Sequence, residues 1–238
     1  MRIRINLKLS GKSIVANYKH YLQSLIYNTL KKNNKYESLH NEGYKIENRP
    51  FKLFVISDIL GKFEYVNNNK YLLFKTDAYF ELAAIDEEII VNVIEYLNIN
   101  NYLHINKTIV EHDGYSIQSI KYPQNCDEFT FTSISPVTCY RVIDGETIYY
   151  EPESLEFRDM ILGNLEKKMK LIYGDDNTQV EIKSILNKRK RLVHFKNTFI
   201  IAFDIDITFS KLNKDFFEVI LLTGLGPKNS MGFGMMRY

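Results

Sequence analysis

The order in which two apolar periodicities alternate along the chain constrains its fold more than any other feature. A period of two marks half-buried strands, and a period near 3.6 marks helices. Residues 2–9 alternate, with Ile3, Ile5, Leu7 and Leu9 on one side, before Ser10-Gly11-Lys12 breaks the run. Residues 17–32 carry a helical stripe of Tyr18, Leu22, Leu25, Ile26, Thr29 and Leu30. Residues 36–48 read as a loop or short helical turn, and Phe51 with residues 53–56 as a strand. Residues 62–66 and 71–75 read as strands flanking the turn Asn67-Asn68-Asn69. Asp77 is placed to cap a helix running to about residue 98, with Leu82, Ile85, Ile89, Val93 and Leu97 on its buried side. Residues 102–120 read as strands broken at Asp113-Gly114. Strand, helix, strand, strand, helix, strand is the split βαβ order of a ferredoxin-like fold.

The second half repeats the theme. Strands are expected around 129–131, 137–143 and 147–150, then a helix over 154–172 stopped by Gly174. Strands follow at 179–186, 190–196 and 198–209, and a helix at 211–222 leads into a glycine-rich loop and a last short strand. The proline-bearing polar piece Tyr122-Pro123-Gln124-Asn125 marks a boundary. The expected fold is α+β, with two tandem ferredoxin-like domains built on antiparallel sheets, residues 1–121 and 122–238.

Of 238 residues 45% are hydrophobic, enough for a real core, and the net charge of +2 means that any basic surface must be local. Cys126 and Cys139 form no CxxC or metal-ligand cluster, which suits a reducing compartment. No apolar run approaches the roughly 20 residues of a membrane span, and Met1-Arg2-Ile3-Arg4-Ile5 alternates like a strand, not a signal peptide. A cytoplasmic location without membrane contact is the resulting expectation.

Four places carry candidate chemistry. In the loop after the last helix, Gly224, Gly226, Gly232 and Gly234 surround Lys228, Asn229 and Ser230. Such a loop can cradle phosphate oxygens on backbone amides, or simply cap the helix and turn. Lys188, Arg189, Lys190, Arg191 and Lys196 form a basic patch without an acid, suited to RNA phosphates or to keeping a sheet edge soluble. Tyr27 lies off the main stripe of the first helix, on a polar side with His20, Gln23, Ser24 and Lys31. His40 sits in the following loop, and its ordinary pKa suits proton transfer near neutrality. Lys52 opens the next strand, with Lys45 a competing amine. The five histidines lack metal spacing, and Asp204 and Asp206 share a strand face without an evident third ligand. No metal site and no cofactor are expected.

Several of these pieces together resemble the CRISPR-associated endoribonucleases that cut precursor CRISPR RNA within each repeat. The resemblance rests on Gly224-Leu225-Gly226-Pro227-Lys228-Asn229-Ser230-Met231-Gly232-Phe233-Gly234, then on Tyr21 to Asn28, Leu39-His40, Phe51-Lys52-Leu53-Phe54 and Ser133-Ile134-Ser135-Pro136-Val137. It implies tandem ferredoxin-like domains related to RNA-recognition modules, with repeat RNA in a groove between or across them. It puts the family's catalytic tyrosine on Tyr27, its histidine on His40 and its lysine on Lys52, with Lys45 left open. It implies metal-independent attack by the RNA's own 2′-hydroxyl, leaving a 2′,3′-cyclic phosphate or a 3′-phosphate and a 5′-hydroxyl. The glycine loop is then an RNA-backbone site and structural latch. CRISPR effector proteins and a second copy of the chain are further partners to test. The rival reading is a catalytically weak or inactive protein that only binds the repeat.

Overall fold

The structure, a computed structural model, describes residues 1–31, 44–46, 49–124, 126–174 and 180–238. The first half runs β1 (Arg2–Leu7), β2 (Ser13–Val15), α1 (Lys19–Leu30), β3 (Tyr44–Ile46), β4 (Arg49–Phe51), β5 (Phe54–Ile56), β6 (Phe63–Val66), β7 (Tyr71–Phe74), β8 (Ala78–Ala84), α2 (Glu87–Ile99), β9 (Tyr102–Ile105) and β10 (Thr108–Ile117). The second runs β11 (Glu128–Ser133), β12 (Tyr140–Ile143), β13 (Glu146–Tyr149), α3 (Leu155–Tyr173), β14 (Glu181–Phe195), β15 (Thr198–Ser210), α4 (Lys214–Thr223), a 3-10 turn at Asn229–Met231 and β16 (Met236–Arg237).

The result is an α+β fold with antiparallel sheets. The two larger sheets have the orders β5-β8-β1-β10-β9 and β14-β15-β11-β16, and β2-β7-β6, β3-β4 and β12-β13 form smaller ones. Alternation along β1 sends Ile3, Ile5 and Leu7 into a core with Leu22 and Ile26 of α1 and Ile90 and Val93 of α2. Phe129 and Phe131 of β11 meet Phe157 and Ile161 of α3 and Phe217 of α4 in a second core. A small third cluster, Val55, Ala83, Ile134, Leu222 and Met235, stitches the halves together. The buried Arg2 guanidinium reinforces that seam, donating to Glu81 at 2.7 Å and across it to the Met236 carbonyl at 2.7 Å.

Three expectations needed correction. The helix expected from Asp77 to about residue 98 is a strand, β8, followed by a shorter helix. Asp86 caps that helix by accepting from the Glu88 amide, whereas Asp77 accepts from the Ser10 amide. All of β8 except Tyr79 is buried, so it shows no period-two alternation, and its Ala, Glu and Leu are good helix formers. The chain turns between β9 and β10 at Asn106, which takes a positive φ of 57°. Asp113 and Gly114 lie within β10 where its register on β1 shifts, so they make a bulge rather than a break. Likewise β14 runs unbroken through residues 187–189, with a register shift between Leu186 and Arg189.

Candidate functional site

The glycine loop grows out of the end of α4. Gly224 caps that helix, its amide bonded to the Ile220 carbonyl at 3.0 Å. The chain then folds back so that the Leu225 amide meets the Gly234 carbonyl at 2.8 Å. A Cβ on Gly234, where φ is 73°, would lie 2.0 Å from the Leu225 carbonyl oxygen, and one on Gly224 would lie 2.7 Å from the Gly234 oxygen. The two glycines therefore permit backbone to pack on backbone. Gly226 abuts Thr138 and Gly232 abuts Lys19, and all four glycines are buried. At these four positions the backbone is packed on the protein itself, and it is the residues between them, Pro227–Met231, that line the neighbouring cleft.

Two buried lysines hold this loop, one from each half. Lys168 of α3 donates to the carbonyls of Thr223 at 3.1 Å and Gly224 at 2.7 Å and to Oδ1 of Asn229 at 2.8 Å. It thus satisfies the open carbonyl end of α4. Burial pulls its pKa down to about 7. Lys19 of α1 donates to the Gly232 carbonyl at 2.6 Å and to the Asp58 carboxylate, which also pairs with Arg191 at 2.8 Å. Asn229 is committed to the loop as well, its Nδ2 donating to the Leu225 and Phe233 carbonyls, both at 3.0 Å. The sequence reading missed Lys19, Lys168 and Asp58. A signal existed for Lys168: it stands between Leu165 and Ile172 on the apolar stripe of α3.

The loop's exposed span faces an open cleft of about 970 Å³. Pro227–Met231 line one wall, residues 50–54 another, and α3 with β12 the remainder. Lys228 stands 4.6 Å from the centre of the Tyr140 ring. The Ser230 hydroxyl lies beside that of Tyr27, which is almost fully buried in α1 with its ring edge-on to Phe54 at 5.8 Å. Burial pushes the Tyr27 hydroxyl pKa up against the opposing effect of Ser230. Of the polar side on which Tyr27 was expected, Ser24 and Lys31 are exposed, whereas Tyr27 itself is buried beside the glycine loop. Lys52 lines the same cleft as Ser230, and burial, then the charge of Lys45, lowers its pKa. Leu53, next to it, is held at a positive φ of 48°, strained for a branched side chain, and separates β4 from β5. His40 lies outside the described residues.

The basic residues of the hairpin differ in depth and in partner. Lys188 pairs with Glu153 at 2.5 Å and Lys190 with Glu151 at 3.0 Å. Arg189 is exposed, and Lys196 is exposed in the turn to β15. Arg191 points inward and joins Asp58 and, at 3.3 Å, Asp204. Asp206 accepts from the Asn187 amide. Among the described residues no three His, Cys, Asp or Glu side chains cluster as metal ligands, and no helix is long and apolar enough to cross a membrane.

The family model described as "CRISPR associated protein Cas6, C-terminal" matches residues 120–238. A CRISPR-associated endoribonuclease Cas6 of Pyrococcus furiosus is 27% identical, over 100% of this chain and 89% of its own. CRISPR-associated endoribonuclease Cas6 1 of Methanocaldococcus jannaschii is 25% identical, over 99% of this chain and 92% of its own. Among solved structures, one described as the characterization of a Cas6-related gene from Pyrococcus furiosus superposes with a TM-score of 0.82 at 17% identity, covering 100% of this chain and 97% of that one. Another, described as a RAMP protein binding different RNA substrates, gives 0.80 at 16% identity, covering 100% and 98%. Family match, full-length relatives and fold agree, and the chain belongs to the Cas6 family of CRISPR-associated endoribonucleases.

Proposed function

We propose that this protein is a metal-independent endoribonuclease that cleaves precursor CRISPR RNA within its repeats. The observation that carries the reading is the meeting of Tyr27 with Ser230, while Ser230 and Lys52 line one cleft between the two halves. Ser230 and Lys52, far apart in sequence, share that cleft, and Tyr27 lies behind Ser230, which supports the reading. The fold reading is a duplicated ferredoxin-like chain with domains 1–121 and 122–238, supported by the parallel strand orders β5-β8-β1-β10 and β14-β15-β11-β16. In each, the first strand is central, flanked by the third and fourth.

The chemistry needs a base for the 2′-hydroxyl, charge stabilisation at phosphorus, and an acid for the leaving 5′-oxygen. His40 serves one of the proton roles. Lys52 stabilises the developing phosphorane charge. Its amine lies beside Lys45, so the pair concentrates positive potential at the cleft. Tyr27, anchored by Ser230, orients the reacting nucleotide. The products are a 2′,3′-cyclic phosphate, or a 3′-phosphate after its opening, and a 5′-hydroxyl. Repeat RNA is the partner, and the protein works in the cytoplasm.

The test is single-turnover cleavage of end-labelled repeat RNA in excess chelator. His40→Ala is expected to slow cleavage roughly 10²–10⁴-fold while RNA binding stays within a few-fold. A 2′-deoxy nucleotide before the cut is expected to abolish it. Wild-type cleavage by His40→Ala removes His40 from the mechanism, and loss of wild-type activity in chelator removes the metal-free route.

A further inference from the structure

The wall of the cleft made by α3 has a gap that the fold does not need. Gly163 sits in the interior of that helix, where glycine costs roughly 1 kcal/mol relative to alanine. Its backbone is ordinary, and a Cβ built there would meet nothing within 4 Å. Neither a turn nor close packing therefore requires glycine at this position, yet it faces the cleft. One residue on, Asn164 also lines the cleft, and its buried Oδ1 has no hydrogen-bond partner. An unmet buried acceptor is costly, so a donor that reaches it is rewarded. Met160, one helical turn earlier, and Tyr140, whose ring already carries the Lys228 ammonium at 4.6 Å, line the same cleft, and Arg141 and Lys228 supply positive charge.

We infer that this wall is a nucleobase pocket for a single-stranded nucleotide of the RNA next to the cleaved phosphate. This deepens the proposed function and rests on it. The flat face of the base occupies the gap over Gly163, between Met160 and Tyr140. Its amino or imino N–H donates to Asn164 Oδ1 after a rotation of the amide, a soft torsion. Arg141 and Lys228 hold the adjoining phosphates. A phosphate alone brings no donor for Asn164 and no flat face for the gap, so the occupant is a base. The cleft volume of about 970 Å³ is ample for a nucleotide.

The decisive variant is Gly163→Leu, which fills the gap while raising helix propensity, so its melting temperature is expected to equal or exceed that of wild type. Repeat RNAs with one abasic nucleotide, walked across the region around the cut, are bound to both proteins. In wild type one abasic position is expected to weaken binding about ten-fold, the scale of one lost base contact. Gly163→Leu is expected to bind intact RNA about ten-fold more weakly and to be indifferent to the abasic site at that same position. Asn164→Ala is expected to relax the base preference there. If wild type cuts the repeat but Gly163→Leu retains the full abasic profile, the pocket is overturned and the nuclease reading stands. If wild type neither binds nor cuts the repeat, both fall.

Discussion

The Arg191 guanidinium and the Asp58 carboxylate meet at 2.8 Å although 133 residues separate them. Asp58 is buried in the first half and takes Lys19 on its other oxygen. Lys19 in turn holds the glycine loop through the Gly232 carbonyl. A single carboxylate thus ties α1, the basic hairpin and the loop beside the cleft.

Asp58→Asn leaves two cations without their carboxylate, and its cost in urea unfolding is expected to be about 3 kcal/mol. Burial pushes the Asp58 pKa up, but Lys19 and Arg191 outweigh it and hold the value below the usual. Its stabilisation is therefore full at neutral pH and is lost as the pH falls below about 4. The gap between wild type and variant is expected to narrow in acid. An equal gap at pH 3 and pH 7 contradicts this role.

Arg189 and Arg191, adjacent but for one residue, are expected to behave differently. The double variant Arg189→Ala, Lys196→Ala removes exposed charges. It is expected to weaken repeat RNA binding, to reduce the salt slope by about one to two, and to leave melting unchanged. Arg191→Ala is expected to lower the melting temperature instead. Equal melting losses in both proteins argue against this division into exposed and seam-bound charges.

Gly234→Ala places a Cβ 2.0 Å from a backbone oxygen at a positive φ, and the loop cannot yield there without parting from itself. We expect a loss above about 4 kcal/mol, or no soluble protein. Gly232→Ala meets only the Lys19 side chain, at an ordinary contact distance of 3.4 Å for its nearest atom. Its cost is expected to be about 1–2 kcal/mol, from the left-handed backbone alone. Comparable melting of the two variants would refute the self-closing loop.

Lys168 provides a pH signature. Its pKa is about 7 in the folded chain against about 10.4 when unfolded, so between those values the unfolded state binds more protons. Stability then rises with pH across that window. Urea titrations at pH 7 and pH 9 are expected to show a gain for wild type that Lys168→Met lacks. Parallel pH dependence in the two proteins shows that the lysine titrates alike in both states.

The strands and helices whose residues alternate between core and solvent were legible in the sequence. β1 and α1 show their periods because one side of each meets water. β8 did not, because it is buried on both faces and so has no pattern to read. The residues of the loop and of Lys52 were also legible, because their local pattern resembles a known family. What the residues touch was not. That Arg191 reaches Asp58 and Asp204 while Arg189, two residues away on the same face of β14, stays exposed was decided only when β14 paired with β15 and the two halves met.

The sequence by itself determined where β1, α1 and the other stretches with one wet side lie, and that a glycine-rich turn follows the last helix; those follow from short-range sterics and periodicity. The candidates Tyr27, His40 and Lys52 rest on the resemblance of their local pattern to a known family. Tertiary structure alone decided that Asp58 neutralises Lys19 and Arg191, that Lys168 seals the end of α4, and that Ser230 reaches Tyr27. These pairs join residues 39 to 203 positions apart in the chain, a span over which local propensity says nothing about who meets whom. Their cost of desolvation is offset only where both halves close around them, so the cleft and its charges exist only once the two cores have docked.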